Sequence, residues 1–167
     1  MKLLFSLIAL MMLSKECENK NSTNELPENT SEQQEKLASF ENAETQSGEI
    51  IIYEASTRGF YEKIWVTKDS IKLSSDRSLK DVSGTLCPES DWSELKAAMK
   101  DVELLSLHNI EVPSKNFQFD GAAMATLKIE NGDMIFSTPI FDHGNPPETI
   151  GAVVKKVLSM AEMVKKQ

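Results

Sequence analysis

The sequence predicts an α+β fold: a two-layer sandwich whose antiparallel sheet of about five strands carries two helices on one face. Three observations predict it. Short β-branched and aromatic runs bounded by turn residues occur near 50–53, 60–67 and 70–74, and again on both sides of Asn131-Gly132. Two other segments, near 91–103 and 147–165, space their apolar residues by three and four, as amphipathic helices do. The resulting order, β-β-β-α-β-β-α, gives each helix a sheet to cover, and a helix stripe must be buried against another element.

The first strand is read at Glu49–Ala55 around Ile50-Ile51-Ile52-Tyr53. Ser56-Thr57-Arg58-Gly59 follows as a turn, with Gly59 free to take a positive φ. Phe60–Thr67 is the second strand. Its alternation puts Phe60, Glu62, Ile64 and Val66 on one face and Tyr61, Lys63 and Trp65 on the other. Lys68-Asp69 connects to a third strand at Ser70–Ser74, which completes a meander. Asp76–Gly84 is polar and reads as a loop.

Asp91 is a good N-cap residue with Glu94 three positions on, and Trp92, Leu95, Met99 and Val102 keep helical spacing, so a helix is placed at 91–103. Leu104, Leu105 and Leu107 read as an irregular packing segment. Ala122–Glu130 alternates, Asn131-Gly132 is a strong hairpin signal, and Asp133–Phe141 returns with Met134, Phe136 and Ile140 on one face. Pro139 implies that this strand ends early or lies on an edge, since proline has no N–H for the ladder. After Asn145-Pro146-Pro147, a helix from Pro147 to Lys165 carries the stripe Ile150, Val153, Val154, Val157, Leu158, Ala161 and Val164.

Charge divides the chain. Residues 18–49 hold eight Glu against Lys20 and Lys36, while residues 50–167 hold 14 Lys or Arg against 17 Asp or Glu. Most of the net −8 therefore belongs to a segment with few large apolar residues, which reads as a solvated acidic tether at 18–48. The folded domain is 49–167. Acidity and the lack of a dense basic run argue against nucleic acid as a partner. Ahead of the tether, Lys2 precedes an apolar run from Leu3 to Leu13. That run suits a signal-peptide core and is shorter than the ~20 residues of a membrane-spanning helix. The segment 1–17 is thus read as an export signal, with Cys17 just beyond its core.

Complete catalytic signatures are missing: there is no P-loop, no G-x-G-x-x-G, no G-x-S-x-G and no H-E-x-x-H. No cofactor is expected. Cys87, His108, Asp120, Asp142 and His143 lack the spacing of metal ligands, so no metal is expected either. Cys87 reads as a small buried hydrophobe; a Cys17–Cys87 disulfide and a reactive thiol are the sharper readings. Two groups remain as candidate binding residues. Hairpin pairing should bring Phe119-Asp120 and Phe141-Asp142-His143 to one sheet end. There either each Phe packs in the core and each Asp caps a turn, or Asp120, Asp142 and His143 form a small polar site. Arg58, Tyr61 and Trp65 form the second group. If the helices cover one face only, the other presents Tyr61 and Trp65 beside Lys63 and Glu62, an aromatic patch suited to a partner.

The apolar core after Lys2, the position of Cys17, the Asn/Ser/Glu-rich tether and a short α+β domain together resemble the small uncharacterised lipoproteins of the Bacteroidetes cell envelope. The junction Glu16-Cys17 departs from that pattern, which has a small residue before the cysteine. The resemblance implies lipidation of Cys17 and an envelope location, with membrane contact through the N-terminus. An uncleaved anchor, or cleavage near Ser14 with a secreted or periplasmic product, are the alternatives. The expectation is a tethered binding module for an envelope protein or peptide; a small hydrolase or ligand-binding domain using Asp120, Asp142 and His143 is the alternative. Intact mass of chain isolated from membranes checks the N-terminal reading: the expected product starts at Cys17 with added acyl mass, and an unacylated chain refutes it.

Overall fold

The computed structural model describes residues 48–166. The signal-like segment with Cys17, and the tether up to residue 47, lie outside the described residues. The elements run β1 (Ile50–Ser56), β2 (Tyr61–Val66), β3 (Ser70–Ser74), β4 (Ser83–Leu86), α1 (Glu89–Met99), two 3₁₀ turns (Leu104–Asn109 and Asn116–Phe119), β5 (Met124–Asn131), β6 (Met134–Ser137), β7 (Phe141–Asp142) and α2 (Glu148–Lys165). The α+β class holds, with seven strands where the sequence pattern suggested about five. All pairings are antiparallel, in the spatial order β4-β3-β2-β1-β5-β6, and β7 also pairs with β5.

Strand alternation decides what is buried. Ile51, Tyr53 and Ala55 of β1 lie opposite Val66, Ile64 and Glu62 of β2 and opposite Ile129, Leu127 and Ala125 of β5. The apolar members of this set join Ile71, Leu73, Leu95, Leu107, Phe141 and the stripe of α2 in one core. Buried α2 residues are Ile150, Val153, Val154, Val157, Met160, Ala161 and Val164. Met160 was absent from the expected stripe, and Leu158 is half-buried. Both helices therefore sit on the face of Ile51 and Tyr53. Lys156 of α2 bonds Asp91, at 2.7 Å, and Glu94 of α1, tying the helices together at their rim.

Glu62 was expected on the open face beside Lys63 in one reading of that patch. It turns inward instead and is 6% exposed, because its register partner is Ala55 on the covered face. Its carboxylate pairs with Lys165 at the end of α2, 2.7 Å away. The Lys165 ammonium is correspondingly raised in pKa, chiefly by that hydrogen bond.

Two local expectations are corrected by proline. The first helix starts at Glu89, ahead of the expected Asp91, because Pro88 already holds φ −63° and ψ 139° as N-cap. Its fixed φ sets the helix entry without a side-chain cap. Asp91 and Glu94 are thereby released to bind Lys156. The second correction is at Pro139. Lys128 pairs with Ser137, yet Ala125 pairs with Phe141, so β5 spans three residues where its partner spans four. One extra residue is inserted, as in a β-bulge. Thr138 fixes it: its N–H donates to the Leu127 carbonyl and its Oγ1 accepts the Leu127 N–H at 3.1 Å. The slip reverses the alternation. Phe141 faces the core with Phe136, and Ile140, expected on that face, is 43% exposed.

The polar segment Asp76–Gly84 reads as a loop in the sequence, yet its last two residues begin β4. This strand runs along β3 as an edge strand, with Gly84 where a Cβ would come 3.2 Å from the Ile71 carbonyl oxygen. Beyond α1, Leu107 of the first 3₁₀ turn is buried, and that turn lies against β6.

Leu127 is fully buried on a strand paired on both sides. Leu127→Ala should cost about 2–5 kcal/mol in urea unfolding with an unchanged m-value, the usual range for a leucine cavity. A loss under about 1 kcal/mol would contradict its place in the core.

Candidate functional site

The face of the sheet turned away from the helices carries Glu54, Tyr61, Lys63, Trp65 and Lys72, all half-buried. Tyr61 and Trp65 are on this face because they alternate with the inward Glu62, Ile64 and Val66. Each ring already has a cation over it. The Arg77 guanidinium lies 5.1 Å from the Tyr61 ring centre, and the Lys63 ammonium 5.0 Å from that of Trp65. Lys63 also approaches Glu54 at 3.5 Å. Burial, with help from Glu54, raises the Tyr61 pKa, so the phenol is neutral at physiological pH. The arrangement is an amphipathic surface rather than a cavity.

The second group sits at the sheet end where β1 meets β2 and β5 begins. Asp142 is 2% exposed, and the slip at Pro139 aims its carboxylate at the loop between the helix layer and β5. There it accepts hydrogen bonds from the Ser114 hydroxyl (2.5 Å), the Asn116 N–H (2.9 Å) and the Phe117 N–H (2.8 Å). Burial pushes its pKa up, but these donors together more than offset it, and the net direction is down. Asp142 thus holds the 116–119 turn shut as an ionised clamp. Asn145 adds a 2.7 Å bond to the same Ser114.

His143 does not bond a carboxylate. Its Nδ1 lies 2.7 Å from the Tyr53 hydroxyl, and its ring packs on Phe60 with centroids 5.6 Å apart. Tyr53 is fully buried, and its pKa is driven up by that burial and by nearby Glu62. The phenol therefore keeps its proton, and the His143 tautomer sets which of the two groups donates in this bond.

Asp120 parts from the other two. It ends the 116–119 turn in a left-handed conformation with φ +55° and is exposed. It lines a shallow, open hollow of about 500 Å³ with Ser56, Thr57, Arg58, Arg77, Phe117 and Met124. The two sequence groups therefore meet here: Arg58 from one and Asp120 from the other share a hollow, and Arg77, over the Tyr61 ring, bridges it to the open face. Phe119, expected in the core, is 84% exposed, because Asp120 turns the chain before it can reach inward.

Sequence reasoning passed over three residues of this region. Arg77 fell in a segment read only as polar loop, Tyr53 in a hydrophobic run, and Ser114 in a connection. The one signal within reach was composition: Arg58 and Arg77 are the chain's only arginines among 18 basic residues. Cys87 is half-buried with no disulfide partner among the described residues, and its thiol is pushed up to about 11, first by burial and then by Asp91, Asp69 and Glu89; the Cys17 of the alternative disulfide lies outside those residues. The thiol is therefore held in its protonated form at neutral pH. Among the described residues, no three His, Cys, Asp or Glu side chains converge on a metal-sized site.

The clamp has a pH signature. Because the folded carboxyl of Asp142 titrates below its unfolded value of ~3.9, its stabilisation is complete above about pH 4 and fades as the pH falls through the depressed folded value. Asp142→Asn should flatten the acid limb of the stability curve below about pH 4 and speed hydrogen exchange at the Asn116 and Phe117 amides. An acid limb identical to the parent's would refute the clamp.

No family model matches the chain, and no curated protein is similar to it in sequence.

Proposed function

We propose that the chain is a binding module of the cell envelope, held at a membrane through its N-terminus, that recognises a protein or peptide partner with the open face of its sheet. One observation carries the reading. Tyr61 and Trp65 flank Lys63 on a sheet face over which no helix of the described residues lies, each with a cation over its ring. Aromatic residues backed by Arg are the side chains that supply most of the energy at interfaces, and fixing them in advance lowers the entropy cost of binding. No helix among the described residues is long and apolar enough to cross a membrane, so the reading places attachment in the N-terminal segment.

The hydrolase alternative draws no specific support. Its Asp142 is committed to the Ser114 loop, its His143 to Tyr53, and Asp120 lines a separate hollow.

A photoreactive phenylalanine analogue in place of Trp65, in the full chain expressed with its own N-terminus, tests the module. Ultraviolet cross-linking in intact cells should give one discrete adduct from position 65 and none from the same analogue at Ala97, on the outer side of α1. Equal yields from both positions, or none from position 65, would sink the proposal.

A further inference from the structure

The chain uses lysine 16 times and arginine twice, and both arginines line the same hollow. They lie 19 positions apart, on the β1–β2 turn and on the loop after β3, and the meander folds the two connections together. Their states differ. Arg77 is held, with one guanidinium nitrogen donating to the Thr57 carbonyl at 2.8 Å and the guanidinium carbon 5.1 Å from the Tyr61 ring centre. Arg58 is exposed and has no hydrogen bond or ion pair among the described residues. Lysine serves equally well as a solvated charge. Arginine differs in its planar fork of donors, which matches a carboxylate with two parallel hydrogen bonds.

The rest of the hollow narrows the ligand. Ser56 and Thr57 add hydroxyls, Phe117 and Met124 add apolar wall, and Asp120 brings the charged lining to a net +1. That balance suits a singly charged carboxylate next to an apolar side chain better than a dianionic phosphate.

We infer that the Arg58–Arg77 hollow receives a carboxylate of the peptide partner, with an apolar side chain beside it against Phe117 and Met124. This deepens the proposed binding function and rests on it. The carboxylate belongs either to a chain terminus or to an acidic side chain, and both present the same planar group.

Three probes separate the sources: acetyl-Ala-Phe with a free C-terminal carboxylate, its C-terminal amide, and acetyl-Glu-Phe amide. Each is titrated into the full chain at constant ionic strength and followed through the backbone amide signals of Arg58, Gly59 and Met124. Saturable shifts are expected with the free acid or the Glu peptide, whichever source is right. The neutral amide should bind at least about tenfold more weakly, as should the tighter carboxylate probe to Arg58→Lys, which keeps the charge and loses the fork. Since the Arg58 side chain makes no hydrogen bond or ion pair among the described residues, an unchanged melting temperature is expected for this variant. Equal binding of the neutral amide, unchanged affinity in Arg58→Lys, or stronger binding of inorganic phosphate than of either carboxylate probe overturns the inference. If no probe binds while cross-linking at position 65 persists, the carboxylate site fails and the open-face module stands. If the probes bind and cross-linking fails, the reverse holds.

Discussion

Pairing of β1 along both of its edges is the constraint on which the rest of the domain depends. All seven residues of β1 pair with β5, and six of them pair with β2. With hydrogen bonds made on both sides, one freedom remains, which is the face each side chain takes, and the fully buried Ile51, Tyr53 and Ala55 fix it. A one-residue shift would send those three side chains to the open face. The same register dictates that Glu62 faces inward and must find Lys165, and that Tyr61 and Trp65 face outward. The covered core and the exposed aromatic face are two results of one alignment.

A second, smaller constraint shapes the functional end. The extra residue at Pro139 costs β6 its continuation, yet it turns Phe141 into the core and sends the Asp142 carboxylate into the 114–117 loop. Without the insertion, Asp142 would fall on the opposite side of the strand and the loop would lose its acceptor. The bulge thereby positions the wall of the arginine hollow through Phe117, whose N–H Asp142 holds. Backbone irregularity at a strand edge is spent on aiming one side chain, a common use of bulges.

Where local pattern and tertiary packing agree, the fold was legible in the sequence: the alternation of β1, β2 and β5, the hairpin at Asn131-Gly132 and the stripe of α2. It was illegible where context decided. Ser83-Gly84-Thr85-Leu86 has no alternating apolar pair, and its strand conformation comes from β3 alone. Asp91 is an excellent capping residue, but Pro88 precedes it and takes over the helix start. The candidate site was legible in its membership and not in its grouping. Arg58, Tyr61, Trp65, Asp120, Asp142 and His143 do all lie near one end or on one face of the sheet. Their partners, however, come from distant sequence: Tyr53 meets His143 across 90 positions, and Ser114 meets Asp142 across 28. No spacing rule on a single chain reports such contacts.

The first strand of the described domain, β1 from Ile50, has neighbours on both sides. Any pull transmitted from the N-terminal direction is therefore delivered to the middle of the sheet. An edge strand under load peels away one bond at a time. Here two ladders must yield together, and Tyr53 must leave the core with them. The strand nearest to the N-terminal segment is thus one that two ladders hold in place.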